Sequence, residues 1–249
     1  MAIIIKSSKE IEVMREAGRI TAAVLYELKN KVEPGMKTRD LDDIAVKATA
    51  RLGAVPSFKD YHGYPASVCV SVNDEIVHGI PGERILNEGD IVSLDFGVIY
   101  NGFQGDSALT TGVGEISDEA RKLMETTEGA LMAGIEVVQA GKRMGDVSAA
   151  IQEYAETRGF SVVREYTGHG IGRNMHEDPQ IPNYGAPGQG PLLKKGMTFA
   201  LEPMINIGDW RTRLMDDNWT VKTSDGSLSA HFEHTVAVTE NGAEILTVM

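Results

Sequence analysis

Acids that alternate with apolar residues are the first sign of chemistry in this sequence. Ile91-Val92-Ser93-Leu94-Asp95-Phe96 has period two, so Val92, Leu94 and Phe96 share one strand face while Ser93 and Asp95 share the other. Asn101-Gly102 is a hairpin turn signal, because both residues tolerate the positive φ that a tight turn demands. With that turn, Asp95 lies opposite Ala108, and Asp106 becomes its diagonal neighbour on the same face, about 7–8 Å away backbone to backbone. Two carboxylates at that offset can converge on one or two cations. A solvated hairpin face is the competing reading. The apolar run on the first strand favours a buried pair, and burying two acids without a counter-ion is costly.

Two more acids follow the same pattern. Met197, Phe199 and Leu201 take one face, Thr198, Ala200 and Glu202 the other, and Pro203 makes the strand irregular or an edge at that point. Phe232, His234, Val236 and Val238 alternate with His231, Glu233 and Thr235. Glu233 therefore points away from the apolar face, and His234 reads as a packed or supporting histidine and not as a direct ligand. The segment from Thr167 to Pro179 holds His169 and His176 among Gly168, Gly170 and Gly172. Alternate glycines argue against a helix and for an extended segment or special loop that a ligand can approach closely. A phosphate-binding loop would need a Lys-Ser/Thr ending and a strand-to-helix frame, and neither is present. His78, in Val77-His78-Gly79-Ile80-Pro81, stands before a turn of its own. A lone histidine is more often structural. Three in glycine-rich turns, together with four acids on strand faces, point to a site.

These residues need elements to carry them. Ser7 opens a Ser-x-x-Glu capping box with Glu10, and Ile11, Met14, Gly18, Leu25 and Leu28 hold a helical stripe that Pro34-Gly35 is expected to stop. A second helix carries Leu41, Ile44, Ala45, Ala48 and Leu52, with Gly53 as its cap. The order then returns: a long helix over 117–140 ended by Gly141, and a shorter one with Val147, Ala150, Ile151, Tyr154 and Ala155, ended by Gly159. Gly35, Asp40 and Gly53 recur as Gly141, Asp146 and Gly159, and Gly89 to Leu94-Asp95 is echoed by Gly196 to Leu201-Glu202. Chance matching of common cap residues is one explanation. The other is two related halves, about 1–115 and 116–249, that form one catalytic domain and offer acids to a shared cleft. The stretch 183–191 reads as a surface loop by composition.

The chain's 249 residues suffice for a sizeable core, and a net charge of −12 argues against nucleic acid or an anionic membrane as partner. The single cysteine, Cys69, excludes an intrachain disulfide and fits a reducing compartment. The first residues, Met1-Ala2-Ile3-Ile4-Ile5-Lys6, are too short an apolar run for a signal-peptide core or a membrane span, so the expected location is the cytoplasm.

Together these segments resemble the type I methionine aminopeptidases, in their short bacterial form, over nearly the whole chain. The resemblance implies an α/β (α+β) fold of the duplicated pita-bread kind. In it a curved antiparallel sheet is backed by helices on its outer face, with a dinuclear metal site in the cleft. It implies that Asp95, Asp106, His169, Glu202 and Glu233 are metal ligands: Asp95 on one ion, His169 and Glu202 on the other, Asp106 and Glu233 between them. Such an oxygen-rich set suits Co, Mn, Fe(II) or Zn, and two divalent ions would balance four carboxylates. It further implies that Glu202 shuttles a proton to the leaving amine, that His176 stabilises the oxyanion and that His78 donates to the scissile amide nitrogen. The methionine pocket is expected from Tyr61, Tyr64, Cys69 and Trp219, with Met175 and Phe58 nearby at positions where relatives vary. Cys69 reads as a small hydrophobe and not a nucleophile. A monovalent cation is implied near Asn73, Glu75 and Ser229.

The implied reaction is removal of the amino-terminal methionine from peptides and nascent proteins, with a small second residue favoured by a crowded site. The implied partners are polypeptide amino termini, with the ribosome transiently near through the substrate, and the implied state is a monomer. Two alternatives share the fold: an Xaa-Pro aminopeptidase, which usually carries a large extra amino-terminal domain, and a non-catalytic binding protein, which would have lost ligands.

Overall fold

The computed structural model describes residues 2–249. The chain opens with two helices, α1 (Ser8–Lys29) and α2 (Thr38–Arg51), followed by strands β1 (Val55–Pro56), β2 (Cys69–Val72), β3 (Glu75–Val77), β4 (Ile91–Tyr100) and β5 (Phe103–Gly112). A second helix pair follows, α3 (Asp118–Val137) and α4 (Met144–Glu156). The remaining strands are β6 (Ser161–Val162), β7 (Thr167–Gly170), β8 (Glu177–Pro182), β9 (Thr198–Leu201), β10 (Met204–Asn206), β11 (Thr212–Leu214), β12 (Val221–Thr223), β13 (Ser229–His231), β14 (Glu233–Thr239) and β15 (Gly242–Ile245).

A nine-stranded antiparallel sheet runs β1-β4-β5-β14-β9-β7-β8, with β2 also on β4 and β15 also on β14. The strand alternation decides what lies on each face. Val92, Leu94, Phe96 and Val98 pack with Ile20, Val24, Leu28, Leu41 and Ala45 of α1 and α2. Phe199, Leu201, Val236 and Val238 pack with Leu123, Leu131, Val147 and Ile151 of α3 and α4. Both helix pairs therefore cover one face and leave the acids of the same strands on the other. Helix α1 comes very close to β5: a Cβ on Gly105 would stand 2.7 Å from the Ala17 carbonyl carbon.

The two helix pairs are built alike. Lys37 and Arg143 stand at the N-caps of α2 and α4 and donate main-chain N–H groups to Asp40 and Asp146 at 3.1 and 2.8 Å. Gly35 and Gly141, Gly53 and Gly159, and Gly89 and Gly196 all have positive φ. Isolated bridges join Lys37 to Ile85 and Arg143 to Leu192.

Two helix ends differ from the expectation. Helix α1 stops at Lys29 and α3 at Val137, ahead of Pro34-Gly35 and Gly141. These glycines close a later turn: Gly35 N donates to Leu86 O at 2.8 Å and Gly141 N to Leu193 O at 3.0 Å. The capping box at Ser7 and Glu10 forms as expected. No helix among the described residues is long and apolar enough to cross a membrane.

Candidate metal centre and substrate pocket

The β4–β5 hairpin turns at Asn101-Gly102, whose φ values are 47° and 79°, and its register sets Asp95 against Ala108 and Gly97 against Asp106. The register of the following strands extends two rows across the sheet. One row runs Cys69, Asp95, Ala108 and Glu233. The adjacent row runs Gly97, Asp106, Thr235, Ala200 and His169, with Thr235 Oγ1 donating to Asp106 O at 2.7 Å and accepting from Asp106 N at 3.1 Å. Small residues stand between the acids at Gly97, Ala108 and Ala200, and a Cβ on Gly97 would lie 3.1 Å from Met175 Cε and Phe58 Cε1 and 3.2 Å from Asp106 Oδ1. Ser107 Oγ donates to Glu233 O at 2.6 Å and Thr110 Oγ1 to His231 O at 2.8 Å, so hydroxyls sew β5 to the Glu233 segment.

Glu202 falls one residue beyond β9, where Pro203 ends the ladder, and not on the strand as the alternation had it. Its carboxylate still reaches the cluster: Oε1 is 3.5 Å from His169 Nε2, and Asp106 Oδ2 is 3.9 Å from the same nitrogen. One donor atom each of Asp106, His169 and Glu233 lies within 4.8 Å of the others. Asp95, Asp106, His169 and Glu233 are all buried.

This cluster fits divalent cations on several counts. Asp95 Oδ1, Asp106 Oδ1 and Glu233 Oε1 are buried and have no hydrogen-bond partner. Among the described residues no lysine or arginine pairs with any of the four acids. His169 Nδ1 lies 2.9 Å from Gly170 O, and a carbonyl can only accept, so Nδ1 carries the proton and Nε2 turns a lone pair toward two carboxylates. Acceptors facing acceptors call for a cation between them. The titration directions agree. Burial, then the charge of Asp106, pushes Asp95 well above the usual carboxylate range. Glu202 and Glu233 are pushed up by burial first and by neighbouring carboxylates second, and burial raises Asp106. Burial, then His176, lowers His169 to about 3, which keeps it neutral as a metal ligand must be.

A cleft of about 690 Å³, its open mouth included, extends from this cluster. Its lining joins the apolar Phe58, Tyr64, Cys69, Met175 and Trp219 to Tyr61, His78, His176 and the acids, and Cys69 stands directly across the ladder from Asp95. Tyr64 and Trp219 meet edge to face at 5.1 Å, and the Tyr64 hydroxyl donates to Gly79 O at 2.9 Å. Burial, then Asp95, raises the Cys69 thiol well above its usual range, so it is an inert thiol in the wall. His78 holds a left-handed backbone, φ 60°, which is uncommon for a side chain with a Cβ. Its ring stands edge to face to Tyr166 and Trp219. His176 lies in the loop between β7 and β8. Its Nδ1 is 2.7 Å from the Tyr61 hydroxyl, and its ring centroid is 4.2 Å from that of His169.

All the expected ligand and pocket positions thus gather around one cleft. Three contributors escaped the sequence reading. His62 lines the cleft beside Tyr61, and its place in Tyr-His-Gly-Tyr was the available signal. Asn183, placed in a surface loop by composition, is buried and donates to Glu202 O at 3.0 Å. Asp217 orders the Trp219 segment by accepting from Trp219 N and Thr220 N at 2.9 and 2.8 Å. His234 is packed as expected, with Nδ1 2.8 Å from Thr247 Oγ1. Asn73, Glu75 and Ser229 form a separate knot: Ser229 N donates to Asn73 O at 2.9 Å, and the Asn73 and Glu75 side chains are engaged by Asp90, Ile91, Val72 and Arg84.

Comparison with known proteins agrees with a hydrolytic metal centre on this fold. The profile of metallopeptidase family M24 matches residues 12–240. The chain belongs to metallopeptidase family M24, and its curled sheet is that family's pita-bread fold. It is 54% identical to methionine aminopeptidase 1 of Bacillus subtilis over 98% of this chain and 99% of that one. The methionine aminopeptidase of Rickettsia prowazekii superposes with a TM-score of 0.98 at 45% identity, over 99% of this chain and all of that one (100%). The Xaa-Pro dipeptidase of Bacillus anthracis superposes with a TM-score of 0.79 at 25% identity, over 98% of this chain but 62% of that one.

Proposed function

We infer that this chain is a methionyl aminopeptidase, which hydrolyses the first peptide bond of chains that begin with methionine. The observation that carries this reading is the union, in one cleft, of an oxygen-rich cation site with an apolar lining, in a chain about half identical to methionine aminopeptidases along its whole length. Asp95, Asp106, His169, Glu202 and Glu233 would hold two divalent cations, of Co, Mn, Fe(II) or Zn, whose charge would balance the four carboxylates. Bound there, the ions supply Lewis acidity and an activated water.

The chain's own groups do the rest. Phe58, Tyr64, Cys69, Met175 and Trp219 receive the unbranched methionine side chain and exclude water from it. Glu202 takes a proton from the attacking water and delivers it to the leaving amine. Tyr61, whose phenol burial raises further, stays protonated and donates to His176 Nδ1, so the His176 proton sits on Nε2 and is offered to the developing oxyanion. His78 donates to the scissile nitrogen as it becomes pyramidal. The crowded mouth favours a small second residue in the substrate. Two halves, about 1–115 and 116–249, related by the matching helix pairs and glycines, form the single catalytic domain. A monomer acting in the cytoplasm on nascent chains, transiently near the ribosome, fits the −12 charge and the lone buried thiol. A monovalent cation at the knot of Asn73, Glu75 and Ser229 would bind main-chain carbonyls, since the side chains are engaged.

The Xaa-Pro reading is not favoured, because the Xaa-Pro dipeptidase shares only 25% identity whereas methionine aminopeptidase 1 of Bacillus subtilis shares 54%. A non-catalytic binding protein would have no need of five intact ligands. The roles of the two histidines are tested by His78→Ala and His176→Ala. Each should lower kcat by on the order of 10²–10⁴ with bound metal unchanged; unaltered kcat in both would refute these roles.

A further inference from the structure

Behind the loop that carries Met175 and His176 lies an ion pair that no step above uses. Lys6 Nζ and Glu177 Oε2 are 2.5 Å apart, and the two side chains are only 3% and 4% exposed. The other oxygen of Glu177 accepts from Asn174 N at 3.2 Å, so one carboxylate both closes the loop 171–176 on itself and ties it to Lys6. Lys6 is held from the opposite side. Its main-chain N donates to Gly196 O at 2.7 Å, in the turn that leads into β9 and so to Glu202. Two glycines clear its path. A Cβ on Gly172 would stand 2.5 Å from Lys6 Cε and 2.7 Å from Glu177 Oε1, and one on Gly196, where φ is +87°, would stand 2.7 Å from Lys6 O. The pair is therefore a spacer of fixed length between the turn before Glu202 and the loop that presents His176.

A buried ion pair adds little stability over an apolar pair of the same volume, whereas its fixed geometry specifies register. We propose that Lys6 and Glu177 are positioning residues for His176, setting the height of its ring over the carboxylate cluster. The proposal rests on the role given to His176 above. A displacement of about 1 Å in a catalytic group can cost on the order of 10²-fold in rate, so a change in the spacer is read in kcat.

The test measures methionine release from Met-Ala-Ser by metal-loaded enzyme, with bound metal determined in parallel. Lys6→Met should lower kcat by roughly 10- to 100-fold with KM changed less than about twofold. Metal content should be unchanged, and Lys6→Arg, which keeps the charge, should recover most of the loss. In a His176→Ala background Lys6→Met should add no further loss, because both act through one ring. A purely structural pair would instead give a loss that multiplies with that of His176→Ala; that result, or an unchanged kcat in Lys6→Met, overturns the proposal. If His176→Ala itself leaves kcat intact, the role of His176 fails and the proposal fails with it, a result distinct from failure of the spacer alone. Should Lys6→Met not fold, Glu177→Gln, which keeps the acceptor for Asn174, takes its place with the same outcomes.

Discussion

Each histidine of the site is tuned by what surrounds its ring. The Tyr61 hydroxyl lies 2.7 Å from His176 Nδ1, so Tyr61→Phe, which removes this partner, should lower kcat about tenfold while KM and metal content stay near wild type. An unchanged kcat in steady-state assays would mean that the ring is oriented by packing alone. His78 is lowered from 6.5 to about 4 by burial, with His176 a lesser cause. In the unfolded chain it takes a proton near 6.5, and in the folded chain only near 4. Unfolding therefore binds a proton between those values, and the stability present above 6.5 is lost as pH falls toward 4. Replacing it with Asn, which tolerates the left-handed backbone, should remove that slope. Denaturant unfolding of metal-free protein should find the wild type losing about 2 kcal/mol more than His78→Asn between pH 6.5 and pH 5. Parallel curves for the two proteins would show that the ring is not held neutral.

Strand register, more than any single residue, brings the acids together. Alternation in residues 91–96 and the Asn101-Gly102 turn were enough to place Asp95 opposite Ala108 and Asp106 on the diagonal, and the hairpin has that register. The turn away of Glu233 from the face of His234 was equally readable, because a strand has only two faces. What could not be read depends on contacts between distant segments. The Lys6–Glu177 pair spans 171 positions, and the burial of Asn183 depends on where Glu202 lies. The ends of α1 and α3 were misplaced because Gly35 and Gly141 serve turns to later segments, which local signals do not reveal. The close contact of α1 with β5 makes its own prediction. Gly105→Ala puts a methyl against the backbone at Ala17, should cost about 1–3 kcal/mol by overpacking, and should weaken metal binding by moving Asp106. Denaturant unfolding and a metal titration check both, and a stable variant with normal affinity would contradict the packing described.

At the scale of the whole molecule, two helix pairs hold one face of a curled sheet so that the other can gather four acids. That arrangement stores repulsion which cations relieve, so metal that binds only the folded state should stabilise it. Chelator-stripped protein should unfold at a lower temperature than protein supplied with Mn(II), and Asp106→Asn should lose most of the difference; equal unfolding temperatures with and without metal would contradict a cation-filled centre. The most direct test of the central claim is peptide release by stripped protein given back Mn, Co or Fe(II), with Met-Ala-Ser, Leu-Ala-Ser and Ala-Pro-Ala offered side by side. Metal-restored release of free methionine, with the other two peptides left nearly intact, is the predicted result. Cleavage of Ala-Pro-Ala in preference, or no cleavage with any metal, would contradict it.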